Sequence, residues 1–162
     1  MKIKVKALNE NCKPEILKQG EWIDLKTESL TTIAAPYFST NSSQMYSELI
    51  SLGIAMQLCK YFEAHVLPRS GTYNKYKVIL TNGMGIIDSS YCGDNDIWKF
   101  NALSLEGCSI PAGTRIAQFR IQPSQFAPWY IKLKWLFTNK IEFEFVDNLD
   151  NKDRGGFGST GV

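Results

Sequence analysis

The chain lacks the materials for several common kinds of site. One histidine, His65, and four cysteines with no Cys-x-x-Cys pair leave no ligand set of zinc-site spacing. No apolar run approaches the roughly 18 residues that a membrane-spanning helix needs. Charge of one sign is also missing: 18 basic against 16 acidic residues leave a net charge of +2, which argues for neither a nucleic-acid nor a membrane-surface partner. The start, Met1-Lys2-Ile3-Lys4, is not a secretory leader. Cys12, Cys59, Cys92 and Cys108 are therefore expected to be reduced thiols, and the protein cytosolic.

What is present is a succession of short strand patterns. At 162 residues one domain with a real core is expected. Lys2 to Ala7 alternates apolar and charged positions. Further strands are expected at 20–25, Thr31 to Ala34, Glu48 to Leu58, Glu63 to Leu67, Lys77 to Thr81, Asp96 to Leu103 and Arg115 to Ile121. Near the end, Ile131, Leu133, Trp135 and Phe137 alternate with polar residues, and so do Ile141, Phe143 and Phe145. A hairpin through Thr138-Asn139-Lys140 is the expected connection. Helix is expected only as a turn at Tyr73 to Tyr76, with a second candidate at Asn41 to Glu48 inside a polar surface loop, 35–47. The fold class is all-β: a distorted jelly roll or barrel at 1–150, followed by a glycine-rich C-terminal flap at 151–162.

The chemistry concentrates in Gly83-Met84-Gly85-Ile86-Ile87-Asp88-Ser89-Ser90-Tyr91-Cys92-Gly93. Asp88 is expected where a strand turns back on itself, with Tyr91 on the returning strand. Asp in a turn bonds its own backbone, so Asp88 reads either as a turn former or as a base beside an aromatic platform. Arg69 and Ser70 follow a strand and suit a phosphate or carboxylate as well as an ordinary turn. Gln118 is an outward polar position or a phosphate donor. Asp24 caps a turn or helps place a metal. The tail from Arg154 through Phe157, Gly158, Ser159 and Thr160 is a frayed terminus or a phosphate-cradling flap.

Taken in order, five segments resemble the five motifs of the trimeric deoxyuridine triphosphatases. They are Asp24-Leu25, Pro68-Arg69-Ser70-Gly71, Gly85 to Gly93, Gly113-Thr114-Arg115-Ile116-Ala117-Gln118, and Gly156 to Gly161. The start at Gly20-Glu21-Trp22-Ile23-Asp24-Leu25, the segment Gly93-Asp94-Asn95-Asp96 and the short join Asp153-Arg154-Gly155-Gly156 look most like the branch of Bacillus-type bacteria and their prophages.

The resemblance implies a homotrimer with active sites shared between subunits, acting on dUTP with Mg²⁺. Asp88 matches the general base and Arg69 the arginine that orients it. Tyr91 matches the residue that packs on deoxyribose. Asn82, with Gly85 and Ile87, matches the hairpin that reads uracil. Ser70, Gly71 and Gln118 match phosphate contacts, and Arg154, Phe157, Gly158, Ser159 and Thr160 match the closing tail. The metal is expected on the substrate phosphates, with Asp24 in an indirect role.

Two departures stand out. Trp22-Ile23 replaces the family's Ala-Gly before Asp24, and the tail is two residues short between Arg154 and Phe157. Trp98 is therefore a candidate lid over the base. The same fold also serves dCTP deaminases and phage-type regulatory modules that bind a host protein. These are the alternatives.

Overall fold

The structure, a computed structural model, describes residues 1–17 and 20–156. It is built almost wholly of short strands. A five-stranded sheet runs in the order Gly85–Asp88, Phe62–Pro68, Arg115–Pro123, Ile23–Lys26, Glu15–Ile16. A three-stranded sheet sets Lys2–Ala7 between Glu142–Phe145 and Ile54–Gln57. Another sets Lys99–Ser104 between Val78–Leu80 and Ser47–Ser51. Two small pairs, Thr31–Ile33 with Cys108–Ile110 and Tyr37–Phe38 with Ser43–Gln44, complete the β structure.

The alternation at the start behaves as its period demands. Ile3 and Val5 are fully buried while Lys2 and Lys4 are exposed. The inner faces meet in one core around Trp98, Phe100 and Phe119, with Leu25, Ile50, Met56 and Ile116. Trp98 packs edge-on against Phe119, ring centroids 5.2 Å apart.

Four local expectations are corrected. The segment 129–138 is a helix, Trp129–Thr138, not a strand. Pro128 sets its N-terminus. Ile131 and Trp135, four residues apart, share a groove with Phe62, whose ring meets Trp135 at 5.1 Å between centroids. The alternation of Ile131, Leu133, Trp135 and Phe137 thus satisfied both periods, and the packing chose the helical one. Consequently 138–140 closes no hairpin. Glu142–Phe145 instead lies parallel to Lys2–Ala7, placing Glu142 opposite Lys2 and Glu144 opposite Lys4. Opposite charges thus face each other across the pair, and Lys2 Nζ stands 3.4 Å from Glu144.

Second, Asn41 to Glu48 is not helical. Ser43–Gln44 pairs with Tyr37–Phe38 in an exposed hairpin whose turn is tied by Ser39 and Ser42. Third, the strand expected from Glu48 to Leu58 is broken at Leu52-Gly53, where the chain passes from one sheet to the other.

Gly53 makes that crossing possible. It sits at φ +63°, and an added Cβ would stand 2.3 Å from Cys12 Sγ. Gly53→Ala is expected to cost on the order of 1–3 kcal/mol, through left-handed strain and overpacking, read as a lowered Tm.

Fourth, the Asp88 segment is a corner rather than a hairpin. Val78–Leu80 belongs to one sheet and Gly85–Asp88 to another, antiparallel to Phe62–Pro68 with Asp88 opposite Glu63. Tyr91 lies in the turn after the strand, its N–H donating to the Asp88 carbonyl, rather than on a returning strand.

Candidate active site

Asp88 ends a strand whose ladder fixes its backbone, and its side chain is half exposed. One carboxylate oxygen accepts the Ser90 N–H at 2.8 Å and the Ser90 hydroxyl. The other takes Arg154 Nη1 at 2.6 Å. Burial by itself pushes the Asp88 carboxyl up, but the two Ser90 bonds and the Arg154 guanidinium outweigh it, and the net shift is below the ordinary 3.8. Asp88 is thus held as a carboxylate at neutral pH, with a cation beside it.

Behind Asp88 lies a cavity of about 250 Å³ lined by Asn82, Ile86, Ile87, Tyr91, Trp98 and the strap Arg154-Gly155-Gly156, among others. The Tyr91 hydroxyl donates to the Ile97 carbonyl at 3.1 Å, which fixes the ring as a half-buried wall. Burial raises the Tyr91 phenol, with the Asp96 charge adding to it, so the ring stays neutral. Gly156 runs across this ring, where an added Cβ would stand 3.2 Å from Tyr91 Cε2.

A second cavity, of about 460 Å³, is polar and basic. Arg69, Ser70, Gly71, Thr114 and Arg115 line it. Two of its lining residues are held by the buried Asp24, whose two oxygens meet Arg69 Nε at 2.9 Å and Arg115 Nη1 at 3.3 Å. The two guanidinium groups are thereby held in place, facing a space suited to phosphate oxygens. Gln118, on the adjoining strand, donates to the Pro68 carbonyl at 3.3 Å.

The sequence-derived residues therefore fall into two groups. Asn82, Ile87, Tyr91 and Arg154 line the first cavity, and Asp88 adjoins it through its bond to Arg154, with Gly85 at the start of the same strand. Arg69, Ser70 and Gly71 converge on the second, and the two cavities share no lining residue. Within one chain Arg69 holds Asp24, and the guanidinium on Asp88 is that of Arg154. Asp24, occupied by two arginines, is a charge anchor. Trp98 is fully buried and forms cavity wall and core, so it is no lid. Phe157, Gly158, Ser159 and Thr160 lie outside the described residues.

Sequence reasoning missed Ser90 and Arg115 as partners of the two carboxylates. It also missed the role of Asp94, Asn95 and Asp96. Ser90 was findable, because a hydroxyl two residues after an Asp is placed to bond it.

Comparison with known proteins decides the family. The dUTPase family model matches residues 33–161. The chain is also 42% identical over 163 residues to the SPbeta prophage-derived deoxyuridine 5'-triphosphate nucleotidohydrolase of Bacillus subtilis (strain 168), covering 100% of this chain and 99% of that protein. The chain belongs to the dUTPase family. Among solved structures, this dUTPase shares its fold with dUTPase from Streptococcus mutans at a TM-score of 0.64 and 20% identity, over 75% of this chain and 93% of that one. A dUTPase of phage phi11 of S. aureus, described as coordinating a structural Mg(II) ion, gives 0.62 at 16% identity over 78% and 93%. The jelly-roll fold and the prophage-like branch expected from the motifs are those of these relatives.

Proposed function

We propose that this dUTPase hydrolyses dUTP to dUMP and diphosphate by water attack at the α-phosphorus, with Asp88 as the general base. The observation that carries the mechanism is the Asp88 carboxylate. It is oriented, ionised and half exposed, and Arg154 joins it to a cavity walled by Tyr91. One Asp88 oxygen is oriented by Ser90, and the other faces outward beside Arg154. The base takes a proton from water. The new P–O bond forms as the bond to the bridging oxygen of the departing diphosphate breaks, and the proton is released from Asp88 to solvent.

The cavity suits a nucleoside. Asn82 and the strand edge at Gly85 and Ile87 offer polar groups to a base edge, and the fixed Tyr91 ring leaves room for a 2′-hydrogen rather than a hydroxyl. Arg69, Ser70, Gly71 and Gln118 suit the triphosphate. Because Arg69, Ser70 and Gly71 line a separate cavity, with Gln118 on the adjoining strand, a complete site draws them from a neighbouring subunit, which is the reason to read the assembly as a homotrimer with shared sites. Of the flap expected at 151–162, Arg154-Gly155-Gly156 already border the first cavity. Mg²⁺ held chiefly by the substrate phosphates would neutralise the charge that develops there, with Asp24 in an indirect role at most. The protein acts in the cytoplasm. The relatives are named as nucleotidohydrolases, which favours hydrolysis over the deamination that the fold also supports.

Diphosphate, ammonia and phosphate release measured across dUTP, UTP, dCTP and dTTP test this reading. Diphosphate from dUTP is the expected product. Ammonia from dCTP with no turnover of dUTP would contradict it. Tyr91→Ala is expected to raise turnover of UTP relative to dUTP by about tenfold or more, since a methyl group no longer fills the space beside the sugar 2′-carbon. Unchanged discrimination would remove Tyr91 from that role.

A further inference from the structure

The catalytic reading leaves one cluster unused. In the loop Gly93-Asp94-Asn95-Asp96, three side chains or backbone groups in a row bind the chain's own C-terminal segment. Asp94 accepts the N–H groups of Leu149 at 2.9 Å and Asp150 at 3.2 Å, and its charge is met by Lys6 Nζ at 3.1 Å. Asn95 donates twice to Asp153, from its N–H at 2.9 Å and from Nδ2 at 2.7 Å. Asp96, only 1% exposed, accepts the N–H groups of Arg154 and Gly155, each at 2.9 Å, together with that of Gly93, also at 2.9 Å. Residues 149–156 are thus a strap laced to the loop by its backbone, and its last bonded residues are those that carry Arg154 to Asp88.

The fit also has a steric side. A Cβ added at Gly93 would lie 2.5 Å from Asp153 Cα and 2.6 Å from Asp153 N. Gly93 has no positive φ. The lack of a side chain there serves the close approach of the strap rather than a turn.

We propose that Asp96 is a positioning residue for the reaction: its buried carboxylate pins the backbone of Arg154 and Gly155, and so sets the Arg154 guanidinium on Asp88. A carboxylate suits the task because it offers lone pairs alone to three converging N–H donors. Asn at this position would turn an NH₂ group towards one of them. The proposal rests on the reading of Asp88 as the base.

The test combines kinetics of Asp96→Asn, Gly93→Ala, Arg154→Ala and the Asp96→Asn/Arg154→Ala double variant with amide hydrogen exchange of 149–156. Assembly and Tm of each variant are recorded beside them. Gly93→Ala displaces the strap without changing any charge, so it decides the matter if Asp96→Asn folds poorly.

Asp96→Asn and Gly93→Ala are each expected to lower kcat/KM on dUTP at neutral pH several-fold, up to the roughly tenfold ceiling set by the loss of Arg154 itself. Exchange in 149–156 should quicken. The acid limb of the pH profile should move to higher pH as Arg154 leaves Asp88. Removal of the Asp96 charge alone would move it to lower pH, so the sign separates positioning from simple electrostatics. The double variant should be no worse than Arg154→Ala alone.

Full additivity in the double variant, or an unchanged kcat/KM in both single variants, overturns the proposal. Wild-type turnover by Asp88→Asn overturns the base reading instead, and exchange in 149–156 then still reports whether Asp96 holds the strap.

Discussion

Asp88→Asn is expected to lower kcat on dUTP by about 10²–10⁴-fold, the range of a positioned general base, while leaving the fold in place. The amide keeps the volume of the carboxylate and can still accept from Ser90 through its oxygen. What it lacks is the ability to take a proton from water. Asp88 is half exposed and its ion pair with Arg154 lies at the surface, so the loss of that pair should change stability by less than about 1 kcal/mol. Turnover and thermal melting measured on the same preparation separate the two effects. A variant that melts as the parent does and turns over normally would remove Asp88 from the chemistry.

Arg154→Ala should have the next largest effect, and its size should depend on pH. Partial burial pushes the Asp88 carboxyl up, while Ser90 and Arg154 together pull it below 3.8. Without the guanidinium the carboxyl rises, so the ionised base is lost at a higher pH as the solution is acidified. The deficit in kcat/KM should therefore be smallest at neutral pH and above, and grow as pH falls towards the ordinary carboxylate value of 3.8. A residual loss of roughly tenfold at neutral pH is expected from the missing cation beside the reacting phosphate. The sign for stability follows from the same shift. A depressed carboxylate contributes stability above its ordinary 3.8 that disappears as pH falls through the folded value, and exposure keeps that contribution small.

The strands that define the site were legible because each obeys one period and ends in turn residues. Lys2 to Ala7 and Arg115 to Ile121 alternate, and glycines mark the corner before Asp88. The helix at Trp129–Thr138 was not, because Ile131 and Trp135 are four apart as well as on an alternating track, and only Phe62 across the groove settles the period. The same limit applies to the site. Asp88 and Tyr91 are close in sequence and were found together. The partner of Asp88 is 66 residues away, and the strap bonds span 55 to 59 residues. They join side-chain oxygens to backbone N–H groups, which carry no residue identity for a motif to display. The bond of Arg69 to Asp24 within the chain was not legible for a related reason: Asp24 arrives through sheet pairing, with Ile23–Lys26 beside Arg115–Pro123.

The central claim is that water, deprotonated by Asp88, attacks the α-phosphorus of dUTP. Turnover in ¹⁸O-labelled water, with both products weighed by mass spectrometry, tests it most directly. Attack at the α-phosphorus predicts one labelled oxygen in dUMP and none in diphosphate. Label in the diphosphate, with unlabelled dUMP, would place the attack on the β-phosphorus and contradict the account.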